Sequence, residues 1–171
     1  MLRTRLMSRT HPLPAQPGTY ALVLASRDDG EVRIGRLGVL KIKPGFYVYP
    51  GSAQGPGGLA GRVLRHGRTE KKLHWHIDYL RENLDITEVW YSVGSERREC
   101  LWAAVLLAMS GGGTPLRRFG ASDCDCPTHL LFFESMPSWP KFRRRLRRAT
   151  TDCGPVVRVP AGRLGSDHDR C

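Results

Sequence analysis

The sequence predicts one α/β (α+β) domain in which a small, mostly antiparallel sheet is flanked by helices. Three observations indicate this class. Short apolar runs rich in aromatic and β-branched residues alternate with glycine turns over residues 18–51, which is typical of strands with tight connections. Apolar residues then recur at helical spacing over residues 58–109. A chain of 171 residues with 40% hydrophobic residues is long enough for one ordinary core.

The first third of the chain is predicted to form strands. Residues 21–24 are a short apolar run, long enough for a buried strand, and they follow directly on the Gly-Thr-Tyr triplet at 18–20. Residues 31–43 are interpreted as two strands with a turn at Gly38, and residues 45–51 as the next strand. Because the connections are short, we expect these strands to pair as an antiparallel meander.

The middle of the chain is predicted to be mainly helical. Apolar residues recur at three-to-four spacing in three segments, residues 58–66, 73–84 and 96–109. Residues 86–93, between the last two helices, are strand-like. An irregular loop then leads into a final strand, which we expect at residues 129–134.

Composition divides the chain into four segments. The first contains prolines and shows no periodicity, while the last is rich in Gly, Pro, Asp and Arg, a composition that predicts disorder. The predicted segments are a flexible arm at 1–16, the α/β domain at 17–136, a basic helix at 137–148 and a disordered tail at 149–171.

The charge of the chain indicates a polyanionic partner. Twenty-seven Lys and Arg residues stand against 16 Asp and Glu residues, so the net charge is +11, and residues 137–171 alone carry nine basic and three acidic residues. Such a balance predicts binding to nucleic acid, and DNA is the partner that we favour. The candidate nucleic-acid-binding residues are Lys141, Arg143, Arg144, Arg145, Arg147 and Arg148.

Other patterns bear on the compartment. No run of about 18 apolar residues predicts a membrane span, and the N-terminus lacks the apolar core of a secretory signal. The five cysteines are irregularly spaced, which is typical of a reducing environment rather than of a disulfide scaffold. We therefore predict a cytoplasmic protein with no membrane partner. No small-molecule cofactor is evident from the sequence.

Residues 45–66 combine a strand, a glycine-rich turn and a short helix. Side chains alternate along a strand, so Tyr47 and Tyr49 share one face. Arg62 and His66 are four residues apart and share one face of the helix, which can turn back toward the end of the strand. Phenols, a guanidinium and an imidazole around such a turn suit phosphate chemistry better than a hydrophobic core.

These motifs resemble the GIY-YIG nuclease superfamily. The triplet at residues 18–20 stands where that family has Gly-Ile-Tyr, and the triplet at residues 49–51 stands where it has Tyr-Ile-Gly. The family's helix arginine falls on Arg62, and its metal-binding glutamate falls on Glu99. The wider pattern is similar to an uncharacterised prokaryotic branch whose members occur alone or joined to an endonuclease III-like DNA glycosylase.

The resemblance implies a GIY-YIG-like fold and hydrolysis of phosphodiester bonds with one Mg²⁺ or Mn²⁺ ion. Glu99 would hold the ion, and Arg62 would hold phosphate oxygens with its fixed set of donors. Tyr49, with Tyr20 beside it, would hold or deprotonate the attacking water, and His66 would share that role. His76 is a further candidate, as a second contact to the phosphate or the leaving group. Each of these residues alone is more often a core, rim or solvated residue, so their joint occurrence carries the interpretation.

A second cluster contains Cys124, Cys126 and His129. The Cys-x-Cys-x2-His spacing is denser than the usual zinc spacing, and only three ligands are evident. A structural Zn²⁺ completed by His66, His74 or Asp123 is the less favoured interpretation. The favoured ones are a thiol-lined loop and a redox-sensitive pair.

The sequence therefore favours a metal-dependent endonuclease-like protein that acts on nucleic-acid phosphodiester bonds, with DNA repair or processing as the setting. Two alternatives stay open: a catalytically silent nucleic-acid-binding module of the same fold, and a zinc-stabilised interaction domain.

Overall fold

A computed structural model of the chain describes residues 12–68 and 70–164. The strands are β1 (Gly18–Ser26), β2 (Gly30–Ile34), β3 (Gly38–Ile42), β4 (Gly45–Ala53), β5 (Asp85–Val93), β6 (Leu131–Phe133) and β7 (Val157–Pro160). The helices are α1 (Gly58–Gly67), α2 (His76–Arg81), α3 (Glu99–Leu107) and α4 (Trp139–Ala149), and a 3-10 turn (Ala161–Arg163) follows β7.

Five strands form one antiparallel sheet in the order β6-β4-β1-β5-β7. β1 lies at the centre, and its first seven residues are buried. The strands β2 and β3 form a separate two-stranded sheet. The predicted α/β class with a small, mostly antiparallel sheet is therefore confirmed.

The predicted meander is wrong, because β2 and β3 pair with each other and not with β1 or β4. Instead β1 pairs directly with β4 on one side and with β5 on the other. The burial patterns give the reason. In β2 and β3 only alternate residues are buried, as expected of strands with one packed face, whereas β1 and β4 are buried on both faces and occupy central positions.

Alternation along β1 divides the core into two layers. Tyr20, Leu22 and Leu24 face the β2–β3 hairpin, α1 and α2. Ala21 and Val23 face the opposite layer, which contains α3 and α4. Even-numbered residues of β1 therefore face α1 and α2, and odd-numbered residues face α3 and α4.

The segment before β1 is tied to α1 by backbone hydrogen bonds. The N–H groups of Leu59 and Ala60 donate to the carbonyl oxygens of Gln16 (2.9 Å) and Pro14 (3.0 Å), so two N–H groups in the first turn of the helix have partners. Residues 12–16 of the predicted flexible arm therefore pack on the domain. Residues 1–11 lie outside the described part of the chain.

The helix predicted over residues 73–84 is shorter in the structure. α2 begins at His76, because the carboxylate of Asp78 accepts hydrogen bonds from the N–H groups of His74 (2.9 Å) and Trp75 (3.0 Å) and caps the helix there. The third predicted helix likewise begins at Glu99 rather than at residue 96.

The C-terminal region differs most from the prediction. The prediction of disorder over 149–171 is wrong for β7, which pairs with β5 and buries Val159. The strand predicted over 129–134 is limited to β6 and is not the last one. Residues 165–171 lie outside the described residues. Among those described, no helix combines the length and apolar character needed to cross a membrane.

α4 is part of the core. It is strongly basic, but Phe142 and Leu146 on its inner face are fully buried. The centre of the Phe142 ring lies 5.2 Å from the ring centre of Trp90 and 5.1 Å from that of Trp102. Its N-cap is Ser138, whose side chain accepts a hydrogen bond from the N–H of Lys141.

We predict that Phe142→Ala lowers the free energy of unfolding by about 3–5 kcal/mol, because it leaves a cavity between two tryptophans. Arg144→Ala, on the exposed face of the same helix, should change it by about 0.5 kcal/mol or less. Urea denaturation followed by tryptophan fluorescence measures both values. Equal and small losses would show that α4 is not part of the cooperative core.

Candidate functional site

One cleft, of about 310 Å³, lies beside the ends of β1 and β4, α1 and the first turn of α3. It brings together six of the residues predicted from the sequence to act on phosphate: Tyr20, Tyr49, Arg62, His66, His76 and Glu99. Other residues that line it are Pro50, Gly51, Ser52, His74, Trp75, Arg97, Gly120, Ser122, Asp123 and His129. The structure thus places the candidates together, while their roles stay predictions.

The strand register brings the two tyrosines to one face. Tyr20 lies opposite Gly51, and Leu22 lies opposite Tyr49, so both phenols project from the same face of the β1–β4 pair. A Cβ atom at Gly51 would lie 2.6 Å from the hydroxyl oxygen of Tyr20. The glycine therefore leaves the room that the Tyr20 ring occupies.

Tyr20 and His66 form a buried pair. The Tyr20 hydroxyl and His66 Nε2 are 2.7 Å apart, and the exposed fraction of each residue is 2% or less. Burial lowers the pKa of His66 to about 4, so the imidazole is neutral at neutral pH. Burial also raises the pKa of Tyr20 and of Tyr49 above the ordinary value, and the nearby Arg62 only partly offsets this.

Asp78 lies behind this pair and is fully buried. Its carboxylate accepts two hydrogen bonds from Arg65 (3.0 and 3.1 Å) and lies 3.3 Å from Nζ of Lys71. Burial raises the pKa of Asp78, but the nearby His66 and hydrogen bonds from Arg65 and from backbone N–H groups outweigh this and hold the pKa well below its ordinary value. His66 Nδ1 lies 3.9 Å from Asp78 Oδ1, beyond direct hydrogen-bond distance but facing the charge. The arrangement favours the tautomer with the proton on Nδ1, which leaves Nε2 to accept from Tyr20.

Arg62 and Trp75 form the rim of the cleft. The guanidinium carbon of Arg62 lies 4.4 Å from the centre of a Trp75 ring, and that of Arg65 lies 4.0 Å from it. Arg65 is held by Asp78. Among the described residues, the Arg62 guanidinium has no hydrogen-bond acceptor. It is therefore oriented by stacking while its donors remain open to a ligand.

Glu99 stands in the first turn of α3, where the helix dipole favours a carboxylate, and only 8% of it is exposed. Its two oxygens accept hydrogen bonds from the hydroxyl of Ser52 and from Nε of Arg97 (3.1 Å). The Arg97 side chain is 61% exposed and also contacts Asp123 at 3.4 Å. Oε2 accepts from Ser52 alone and keeps a lone pair for a further ligand, whereas Oε1 faces both Nε and Nη2 of Arg97.

His76 supports the wall of the cleft. Its Nδ1 accepts a hydrogen bond from the N–H of Gly120 (3.0 Å), and its ring centre lies 5.5 Å from that of Phe119. Burial lowers the pKa of His76. The residue predicted to contact phosphate thus also anchors the loop that follows α3.

Next to the cleft, four side chains form a cysteine–histidine cluster: Cys100, Cys124, Cys126 and His129. Their ligand atoms all lie within 4.8 Å of one another, so the cluster could bind a metal ion, and the ligand set is more typical of zinc than of magnesium. The expectation that His66, His74 or Asp123 completes this set is wrong, because Cys100 does so. Sequence reasoning missed Cys100, since it looks like a core position of an apolar helix. Its place in the first turn of a helix, directly after Glu99, was the available signal, although burial raises the pKa of the Cys100 thiol.

The basic residues of α4 are not brought to this cleft. α4 packs on the layer that contains Trp90 and Trp102, on the opposite face of the sheet from Tyr20 and Tyr49. Lys141, Arg144 and Arg145 line a separate groove with residues of β6. Any nucleic acid that contacts both surfaces must extend around the domain.

Because folding holds His66 neutral, we predict that stability falls as the pH is lowered. The pKa of His66 is about 4 in the folded protein and about 6.5 in the unfolded chain. Between these pH values the unfolded chain binds more protons, so the free energy of unfolding is unaffected above about pH 6.5 and decreases as the pH falls toward 4. Between pH 7 and pH 5, the unmutated protein should lose about 2 kcal/mol more unfolding free energy than His66→Gln does. Urea titrations at both pH values measure the difference. Equal losses would contradict the assignment of a neutral, buried His66.

The family comparison corrects the assignment made from the motifs. Residues 19–151, more than half of the chain, match the family described as "Domain of unknown function DUF123". No GIY-YIG family model matches, so the assignment to the GIY-YIG superfamily is wrong on this finding. No curated protein and no solved structure was found to match the chain. The chain belongs to the DUF123 family, a domain of unknown function.

Proposed function

We propose that this protein is a metal-dependent endonuclease that cleaves phosphodiester bonds in nucleic acid, with DNA as its substrate. One observation carries the proposal: a carboxylate, an open guanidinium, a tyrosine–histidine pair and a second tyrosine line the same small cleft. Groups of these kinds, held this close together, can bind a phosphodiester, a metal ion and a water molecule at once, whatever the family of the chain.

The guanidinium of Arg62 is the proposed phosphate ligand. It is stacked on Trp75 and has free donors, whereas Arg65 is engaged by Asp78. A planar set of donors matches two oxygens of a phosphodiester. Orientation before binding reduces the side-chain entropy that is given up when the complex forms.

Glu99 is the proposed ligand for one Mg²⁺ or Mn²⁺ ion. The donors fit a hard cation, because a carboxylate and the Ser52 hydroxyl offer oxygen atoms, and Mg²⁺ keeps several of its waters in a site with so few protein ligands. Arg97 is mostly exposed and can leave the carboxylate when a cation arrives. A bound ion would supply Lewis-acid stabilisation of charge on the phosphate and the leaving oxygen.

Tyr20, Tyr49 and His66 are proposed to orient the attacking water and to take its proton. The phenols stay protonated at neutral pH because burial raises their pKa values, so they act as hydrogen-bonding groups rather than as bases. His66 Nε2 accepts from Tyr20, which makes Tyr20 a bridge between the water and the imidazole. The negative charge of a bound phosphodiester favours the protonated imidazole and raises its pKa in the complex.

A catalytically silent nucleic-acid-binding module is the second candidate. The ion pair between Arg97 and Glu99 favours it, because the guanidinium occupies Oε1, one of the two oxygens that a metal would use. The net charge of +11 supports nucleic-acid binding under either candidate. The two candidates differ only in whether bound substrate is cut.

We predict that Glu99→Gln abolishes metal-dependent cleavage and leaves DNA affinity within about twofold, because affinity depends on distributed interactions with phosphates. Arg62→Ala should reduce the cleavage rate by about 100-fold or more, as expected when a donor to the developing charge is removed. Glu96→Gln is the matched control, since Glu96 is exposed and pairs with Arg98. The assay follows cleavage of branched DNA, linear DNA and RNA with Mg²⁺, with Mn²⁺ and with chelator at one salt concentration.

If the unmutated protein binds these substrates and cuts none of them under any condition, the enzyme proposal fails and the binding module replaces it. If Glu99→Gln still cleaves in a metal-dependent way, Glu99 is not the metal ligand.

The exposed basic face of α4 yields a separate prediction. Deletion of α4 would also remove the buried Phe142 and Leu146, so charge substitutions isolate the effect. Replacing Arg144, Arg145 and Arg148 by Gln should weaken DNA binding equally for all sequences and reduce the salt-dependence slope by about 0.9 for each phosphate that is no longer neutralised. The matched control replaces Arg33, Arg36 and Lys41, exposed cations of the β2–β3 hairpin. Equal slopes for the two triple variants would show that the α4 face is not a preferred nucleic-acid-binding surface.

A further inference from the structure

We infer that the cysteine–histidine cluster is a structural zinc site that fastens the loop of residues 108–130 to the N-terminus of α3. The inference is independent of the proposed nuclease activity. It concerns a different ligand set from Glu99, and its test does not require cleavage.

The distances fit a tetrahedral ion. His129 Nε2 lies 3.6 Å from the sulfur of Cys100 and 3.5 Å from that of Cys124. In a tetrahedral site with Zn–S near 2.3 Å and Zn–N near 2.1 Å, sulfur and nitrogen ligands are about 3.6 Å apart. These two separations therefore match the sulfur–nitrogen edges of a zinc tetrahedron, and Cys126 lies close enough to complete it.

The ligand count assigns the role. Three thiolates and one imidazole fill all four positions of tetrahedral zinc, and a filled shell is typical of structural sites, whereas catalytic sites keep one position for water or substrate. Zinc binding would displace three S–H protons to solvent without any change of oxidation state. The bound site would then carry a net charge of −1.

Hydrogen bonds from Arg118 hold the backbone of the loop that carries Cys124 and Cys126. Arg118 Nη1 donates to the carbonyl oxygens of Cys124 (2.6 Å) and Cys126 (3.2 Å), which brings a positive charge next to the proposed anionic site. Arg118 has φ 62°, and it is the only non-glycine with positive φ among the described residues. The N–H of Arg118 also donates to the Pro127 carbonyl at 2.7 Å, so the loop closes on itself. A strained residue of this kind persists where its surroundings define it tightly.

The need for such a fastening follows from the length of the loop. Between the end of α3 and β6 no regular helix or strand occurs, and irregular loops longer than about 15 residues are uncommon in compact domains. Cys100 is the ligand from outside the loop, so the ion would join the loop to α3. Since Gly120, Asp123 and His129 line the cleft, the ion would also hold one wall of that cleft.

The test begins with metal content. The full chain, purified without chelator, should contain about one zinc per molecule by atomic emission, and exchange with Co²⁺ should give the intense visible and thiolate charge-transfer bands of tetrahedral cobalt. Cys100→Ser and Cys124→Ser should bind the metal more than about 100-fold more weakly. This loss exceeds the one expected when a residue that only hydrogen-bonds to a ligand is changed. Cys153→Ser is the matched control, because Cys153 is a half-buried thiol outside the cluster.

A second measurement uses only the unmutated chain, so it remains valid if a variant fails to fold: the resistance of the cysteine thiols to alkylation. Of the five cysteines, three should resist alkylation in the native protein and become reactive when a chelator is added. A folded chain without zinc or cobalt bands, zinc retained in Cys100→Ser, or a Cys124–Cys126 disulfide detected by mass would each overturn the inference.

Discussion

The burial of β1 on both faces is the constraint that shapes the whole domain. A central strand cannot leave either face to solvent, so each face must be covered, here by α1, α2 and the hairpin on one side and by α3 and α4 on the other. Because side chains alternate, Tyr20 necessarily faces α1 while Ala21 and Val23 face the tryptophan layer. The position of the cleft therefore follows from the same alternation that builds the core.

Burial also determines the electrostatics of the cleft. Asp78 remains charged inside the protein because Arg65, Lys71 and backbone N–H groups surround it, whereas His66, with one hydroxyl partner, remains neutral. Because the Asp78 carboxylate faces Nδ1 of His66, the ring proton is favoured on Nδ1, and Nε2 is the nitrogen that can accept a proton. The folded protein thus holds Tyr20 and His66 in one orientation.

The first turn of α3 carries two chemically different side chains next to each other, each a proposed metal ligand. Glu99 offers hard oxygen atoms to the cleft, and Cys100 offers a soft sulfur to the cysteine–histidine cluster. Hard and soft donors select different metals, so the two sites can share one helix end without competing for the same ion. Movement of this turn would displace both ligands, which links the integrity of the loop to the geometry of the cleft.

Local periodicity in the sequence was enough to predict β1, β4 and α1, the shared faces of Tyr47 with Tyr49 and of Arg62 with His66, and the basic helix α4. The grouping of Tyr20, Tyr49, Arg62 and Glu99 came from a family resemblance, and it is seen in the cleft although the family assignment is wrong. The folded chain alone revealed the separate β2–β3 sheet, the pairing of β7 with β5, the burial that lowers the pKa of His66, and Cys100 as the fourth member of the cysteine–histidine cluster. The physical reason is that periods of 2 and 3.6 residues report which side chains share a face, whereas strand partners, depth of burial and ligand sets depend on segments far apart in the chain.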